Sequence, residues 1–358
     1  MQNTTRFKIW VCEYISAGGL VAEALPASLL QEGLLMRDAL LADLAALGMD
    51  CITSHDYRVM PPAMAQSVVI EAHENAHSVW QQQLAEQDID ACWVIAPETQ
   101  GILQALCHLV QDIGIPWVGC TAQAIADTTS KACMAELCHQ AGVSVMPHVL
   151  LDELITLESL PWYGQGQFHG WVVKPDDGAG CTATYYFKKD SELIEFKNNL
   201  INNSLLSLTR FLLQPYVPGI ALSMSVVATT TEVKVIAAHR QQVKIVNGEF
   251  TFNGAGVNEA TDQILAMQRL AEQVHRAIPG LIGYWGADMI LNAAGALVLV
   301  EINPRLTTPY IGLSRIMNSN PAGVILQAVL NNQLQADVAS SSLRLTLNTL
   351  QEGGYDQV

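Results

Sequence analysis

The 358-residue sequence is short of cations: Lys and Arg number 18 against 34 Asp and Glu, a formal net charge of −16. A duplex nucleic-acid surface needs many Lys and Arg side chains to displace phosphate counterions, so no nucleic-acid partner is expected. The same acidity argues against anionic membrane surfaces. Charged residues make up only 15% of the chain and hydrophobic ones 50%, which excludes intrinsic disorder. No run of about 18 apolar residues occurs, so no membrane-spanning helix is expected. The start, MQNTTRFKIWVCEY, has no long apolar segment after its basic residues, against a secretory signal. The eight cysteines (Cys12, Cys51, Cys92, Cys107, Cys120, Cys133, Cys138 and Cys181) include no C-x-x-C pair. Free thiols in a reducing cytosol are the simpler reading, and a disulfide framework the rarer one. No G-x-G-x-x-G follows the Gly18-Gly19 turn, which is either a substrate-contacting loop or a structural one. What remains is an enzyme or binding protein for small molecules.

The organisation falls into three parts. Strands over Phe7–Cys12, Met49–Thr53 and Ala91–Ala96 alternate with helices that start at Ser28, span 66–87 and run up to Gly114, which predicts a small parallel sheet covered on both faces. This α/β unit is expected over 1–120. An α+β unit over 121–217 follows, with a helix near Thr129–Gln140, strands Trp171–Lys174 and Thr182–Phe187, a helix Ser191–Leu200 and a strand Arg210–Val217. The last unit, 218–358, is mainly antiparallel α+β. Its strands are Ala221–Thr229, Val233–His239, Val243–Val246, Glu249–Phe252, Ala287–Leu291 and Ala296–Ile302, with a helix over Glu259–Ile278. Asn247-Gly248 is a strong hairpin signal.

Three constellations could carry chemistry. In Lys174-Pro175-Asp176-Asp177-Gly178-Ala179-Gly180-Cys181, a lysine ends an apolar strand and a glycine-rich turn follows. Backbone N–H groups and a point charge could there meet an anion; the other reading is an ordinary hairpin turn. Glu301 and Asn303 share one face of a strand, and the preceding strand brings Asp288 alongside. Two carboxylates and an amide are hard oxygen donors suited to Mg²⁺, unless they are simply a polar strand end in solvent. Arg305 lies just beyond, where its fork of donors could hold a phosphate or carboxylate. Finally, His73-Glu74-Asn75-Ala76-His77 fits H-E-x-x-H, which on a helix could bind zinc as in a peptidase, with Glu98 a conceivable third ligand; otherwise it is a polar helix face.

The order of these motifs, a helix lysine, Lys-Pro-x-x-Gly-x-Gly, Gln-x-x-x-x-Gly, a strand Asp and Glu-x-Asn-Pro-Arg, resembles the ATP-grasp superfamily along the whole chain. The opening Cys12-Glu13-Tyr14-Ile15-Ser16-Ala17-Gly18-Gly19-Leu20 looks like that of the tyramine–glutamate ligase family of methanofuran biosynthesis. The resemblance implies an ATP-grasp fold, with an N-terminal parallel-sheet (pre-ATP-grasp) domain, a central lid and a C-terminal catalytic domain. It implies that Lys131, Lys174, Gly178, Ala179, Gly180, Cys181, Gln214, Pro215, Tyr216 and Val217 hold ATP. Asp288, Glu301 and Asn303 would hold Mg²⁺, with Mn²⁺ as a substitute. Ser130 stands where the family usually has Asp before the first lysine, and no acid follows Gly219 to meet the ribose. Arg240 and Arg305 would hold the γ-phosphate, an acyl phosphate or a substrate carboxylate. The activity implied is ADP-forming ligation of glutamate to an aromatic amine such as tyramine or tyrosine through an acyl phosphate, in the cytoplasm and compatible with a homodimer. A ligase of the D-alanine–D-alanine or dipeptide type is the alternative within the superfamily.

Overall fold

The computed structural model describes residues 6–152, 154, 156–166, 168–178, 180–202, 209–346 and 356–357. The chain opens with β1 (Lys8–Glu13), α1 (Ala27–Ala46), β2 (Asp50–Asp56), β3 (Gln66–Ile70), α2 (Ala76–Glu86), β4 (Ala91–Ile95) and α3 (Ile102–Ile113). The four strands are parallel in the order β3-β2-β1-β4. β1 is buried beyond its first residue and β4 throughout, as strands covered on both faces must be. The chain steps from β1 to one side and returns to β4 on the other. A crevice therefore opens beyond the C-terminal ends of β1 and β4, where open α/β sheets bind ligands.

The expected helix over 66–87 is instead a strand followed by a shorter helix. Val68, Val69 and Ile70 are β-branched and complete the sheet edge, and Asn75 caps α2 by accepting from the Ser78 N–H at 3.0 Å. That cap divides the H-E-x-x-H stretch. His73 and Glu74 lie in the turn before α2, while His77 packs on Trp80 with ring centroids 5.1 Å apart. The two histidines share no helical face. Among the described residues no group of three or more His, Cys, Asp and Glu could hold a metal, so the zinc reading loses its basis.

Next come α4 (Ala122–Thr129), α5 (Lys131–Gln140), β5 (Val149–Leu150), β6 (Trp171–Pro175), β7 (Tyr185–Phe187), α6 (Asp190–Asn202) and β8 (Phe211–Pro215). The remainder is β9 (Gly219–Ala228), β10 (Val233–Val246), β11 (Glu249–Val257), α7 (Ile264–Ala277), β12 (Gly283–Asn292), β13 (Leu297–Asn303), α8 (Tyr310–Ile316), α9 (Pro321–Asn331), β14 (Leu343–Thr346) and β15 (Asp356–Gln357). These strands form one antiparallel sheet of order β13-β12-β9-β10-β11-β7-β6-β8-β5, with β14 on β11 and β15 on β14. Residues 233–246, read as two strands, are one strand whose register slips between Val235 and Ala237 and between Gln241 and Val243. Asn247 and Gly248 both take positive φ, 52° and 84°, and close the β10–β11 hairpin as their sequence demands.

One core cluster runs from the parallel sheet under α2 and α3 to the central antiparallel strands under α4, α5 and α7. A second packs α1, α8 and α9 between the two sheets, and a third fills the lid around Trp171, Leu193 and Phe211. Asp43 of α1 ties the parallel sheet's helix layer to the last unit. It accepts from the Tyr310 hydroxyl at 2.8 Å, and its carbonyl accepts from Asn320 Nδ2 at 2.8 Å. All eight cysteines are free thiols, six of them buried. No helix among the described residues is long and apolar enough to cross a membrane.

Candidate active site

The site is built first by strand register. On β12 and β13, Asp288 lies directly opposite Glu301 and Gly286 opposite Asn303, so all four share one face of the sheet. A register slip between Asp288 and Met289 marks the strand just past the acid pair. Gln241 Nε2 donates to Asp288 Oδ1 at 2.6 Å, and Asn303 Nδ2 donates to Asp288 Oδ2 at a long 3.4 Å. Burial first, and then the neighbouring Glu301 charge, hold the Asp288 carboxyl well above the usual carboxylate range. Two hard carboxylates and an amide oxygen crowded at this strand end have the composition that suits Mg²⁺, and their mutual repulsion is what a bound cation would relieve.

Two lysines face this pair. Lys131 opens α5, and its ammonium lies 3.8 Å from Glu301 Oε2 and donates to the Gly178 carbonyl at 2.6 Å. Lys174 is the penultimate residue of β6 and is only 6% exposed. Burial pushes its pKa down to about 8, against the opposing pull of Glu301. Cys181 lies in the same neighbourhood: burial, followed by the Glu301 and Asp288 charges, pushes its thiol up to about 11. Ser130, in place of an acid, is the N-cap of α5, accepting from the Cys133 N–H at 3.1 Å.

Asp176 organises the turn between the lysines. Its carboxylate accepts from Ser130 Oγ at 2.8 Å and from the Ala132 N–H at 2.9 Å, and its carbonyl accepts from the Lys131 N–H at 3.0 Å. The start of α5 is thereby pinned to the lid. Gly180 needs its positive φ of 64° in this turn. Ala179, expected here as a phosphate contact, lies outside the described residues.

The segment Gln214–Val217 spans the end of β8 and the two residues after it. Gln214 is opposite Val172 in the sheet, and so shares a face with Lys174. Tyr216 donates its N–H to the Gly170 carbonyl at 2.8 Å and accepts from the His169 N–H at 3.1 Å. Pro215 has no N–H, so the free backbone donor of the stretch is Val217, which has no hydrogen-bond partner among the described residues. The rings of Tyr186 and Phe250 flank Tyr216 at 4.8 and 6.5 Å.

The two arginines part company. Arg305 reaches the crevice of the parallel sheet, with Nε 2.9 Å from Oε1 of Glu98, at the end of β4. The contact is ionic: neither atom has a well-aligned hydrogen bond. Burial disfavours the charged guanidinium, but Glu98, Glu32 and Glu301 together outweigh it and hold Arg305 protonated. Arg240 is not brought to the acid pair. It alternates on β10 with Gln241, which faces Asp288, and so turns to the α7 side. There its Nε donates to the Glu259 carbonyl at 3.2 Å, and Nη2 lies 3.5 Å from Asp262.

The Gly18-Gly19 loop has structural reasons for its glycines. A side chain at Gly18, φ 99°, would strike Ile70 at 2.8 Å, and one at Gly19 would strike the Tyr14 ring at 2.5 Å. Before this loop, Glu13 is buried and accepts from the Ser16 N–H at 2.8 Å; burial raises its pKa. The sequence does not single out Gln241, offers Asp176 only as part of the Lys174–Cys181 turn, and offers Glu98 only as a zinc ligand. Their partners lie 47, 44 to 46, and over 200 positions away, and no local pattern signals such contacts.

Residues 145–309 match the ATP-grasp domain, and residues 49–125 match the pre ATP-grasp 3 domain. The tyramine–L-glutamate ligase of Methanocaldococcus jannaschii is 25% identical over 335 residues, covering 91% of this chain and 90% of that protein. Among solved structures, an ATP-grasp superfamily protein from Archaeoglobus fulgidus superposes with a TM-score of 0.65 at 17% identity, covering 95% of this chain and 92% of that one. The N5-carboxyaminoimidazole synthetase of Staphylococcus aureus, complexed with ADP, superposes with a TM-score of 0.70 at 14% identity, covering 98% and 87%. The likeness in structure speaks for the fold, and with the two domain matches in sequence it shows that the chain belongs to the ATP-grasp superfamily.

Proposed function

We propose that the chain, an ATP-dependent, ADP-forming ligase, joins the γ-carboxyl of glutamate to the amine of tyramine or a close aromatic analogue such as tyrosine. The observation that carries this reading is the convergence of Asp288, Glu301 and Asn303 with Lys131, Lys174 and Arg305 at one strand end. The full-length likeness to a tyramine–L-glutamate ligase supports the choice of substrates.

In this reading Asp288, Glu301 and Asn303 hold Mg²⁺, which supplies charge neutralisation for the phosphates, and Mn²⁺ can replace it. Lys131 and Lys174 hold the phosphates from the α5 and β6 sides, and Gly178, Gly180 and Cys181 cover them. The Val217 N–H and the side of Gln214 receive the adenine. Arg305 holds the substrate carboxylate in line with the γ-phosphorus, and Glu98 fixes the guanidinium in turn. The carboxylate attacks the γ-phosphorus and ADP leaves. The amine then attacks the acyl carbon, phosphate departs, and the amide loses a proton to solvent. No side chain forms a covalent bond; catalysis is positioning and charge stabilisation.

The test is the product. Incubation with ATP, Mg²⁺, glutamate and a mixed pool of amines should release ADP only when both carboxylate and amine are present, and the product mass should equal glutamate plus an aromatic amine less water. ADP release with D-alanine alone or with pairs of ordinary amino acids instead would replace the substrate assignment.

A further inference from the structure

Beyond the charged site, the second core cluster holds a line of polar groups that the mechanism above does not use. His239, Ser225 and Tyr284 are 0%, 0% and 2% exposed. His239 Nδ1 accepts from the Asn258 backbone N–H at 3.1 Å, so it carries no proton. The imidazole is therefore the neutral Nε2–H tautomer, in keeping with a burial that pushes its pKa down to about 3. Nε2 lies 2.9 Å from Ser225 Oγ, Ser225 Oγ lies 2.7 Å from the Tyr284 hydroxyl, and that hydroxyl lies 2.7 Å from Thr307 Oγ1.

One fixed tautomer sets the direction of the whole line. His239 donates to Ser225. The serine proton has no other acceptor among the described residues, so it goes to Tyr284. The tyrosine proton then goes to Thr307, whose own hydroxyl hydrogen has no acceptor among the described residues. Thr307 sits over Gly286, where an added Cβ would meet its Cγ2 at 2.7 Å. Gly286 is opposite Asn303 and two residues from Asp288 on the same face. Thr307 is also two residues past Arg305. Thr307 therefore stands beside the sheet face that carries Asn303, Asp288 and Glu301, with one hydroxyl hydrogen left to give to a bound oxyanion.

We propose that Thr307 donates a hydrogen bond to the carboxylate that becomes phosphorylated, and that His239, Ser225 and Tyr284 are positioning residues that commit its hydroxyl to donation. This rests on the ligase reading. Phosphorylation forms a C–O–P linkage at the carboxylate while ADP leaves; Thr307 binds the spectator carboxylate oxygen and exchanges no proton. A donor oriented before the substrate arrives costs no reorganisation during the reaction.

The experiment follows ADP release with ATP, glutamate and tyramine while glutamate and ATP are varied separately, with a melting curve for each variant. Thr307→Val should lower kcat/KM for glutamate about 10- to 100-fold, the loss of one hydrogen bond to a charged acceptor, and leave the KM for ATP within about twofold. Thr307→Ser should stay near wild type. Tyr284→Phe should cause a smaller loss, and the double variant Tyr284→Phe/Thr307→Val should be no worse than Thr307→Val alone. Thr307→Ala is read in the same way if the valine variant folds poorly. Full activity in Thr307→Val or Thr307→Ala, equal losses in Thr307→Ser and Thr307→Val, or losses that multiply in the double variant would each overturn the inference while leaving the ligase reading intact. Wild-type protein that releases no ADP with any carboxylate and amine pair overturns the ligase reading and this inference with it.

Discussion

Two carboxylates directly across a strand pair repel each other, and Asp288 opposite Glu301 is such a pair. Natural sheets tolerate this where the charges have a task. Glu301→Gln removes one charge and keeps the shape. ADP release should fall by at least about a hundredfold, while the melting temperature holds or rises because the repulsion is gone. An unfolded variant would make Glu301 a structural residue instead. His239 gives a pH prediction at the same scale. Its pKa is pushed from 6.5 down to about 3 in the folded protein by burial. Between those values the unfolded chain binds a proton that the folded one refuses. The His239 contribution to stability therefore falls as pH falls, by up to about 1.4 kcal/mol per pH unit, and is level above pH 7. Urea unfolding at pH 7, 6 and 5 should show this slope, and His239→Gln should flatten it by up to one proton whatever its absolute stability.

At the scale of elements, the legible features were those with a short repeat or a fixed turn chemistry. Glu301 and Asn303 lie two apart, so a strand places them together, and Asn247-Gly248 forms the hairpin its residues dictate. The stretch 66–87 misled because its helix begins only at the Asn75 cap, leaving Val68–Ile70 free to join β2. The helix expected near Thr129–Gln140 is α5 alone; the short α4 before it, set off by the Ser130 cap, has no counterpart in that reading. A strand shows one residue of each adjacent pair to a given face, and on β10 register turns Gln241, not Arg240, toward Asp288. Asp176 could not be read locally at all, since it joins the lid turn to the start of α5. Asp176→Ala should cost about 1–2 kcal/mol in stability, as loss of a helix cap does, and raise the KM for ATP because Lys131 loses its frame. An unchanged KM with lowered stability would confine Asp176 to folding.

At the scale of the whole molecule, a net charge of −16 coexists with a cleft that gathers cations. Lys131, Lys174 and Arg305 lie around the acid pair, each with a carboxylate beside it. The acidic surface is thus no obstacle to a nucleotide, because the local field is set by few buried groups. The Arg305–Glu98 pair has a further role, since Glu98 lies in the loop after β4 of the parallel sheet and Arg305 follows β13 of the antiparallel one. It links the crevice where a substrate would enter to the strand end where phosphate would transfer. Glu98→Ala leaves a largely buried guanidinium with one carboxylate fewer, and should cost about 3 kcal/mol in stability along with at least about tenfold in kcat. The double variant Glu98→Leu/Arg305→Met replaces the pair by apolar side chains of similar size. It should recover most of the stability, because no unpaired charge remains, and none of the activity, because no group holds the carboxylate. Denaturant unfolding and ADP release measured on the same three proteins separate the two contributions. Recovery of activity in the double variant would mean that Arg305 serves only to join the sheets.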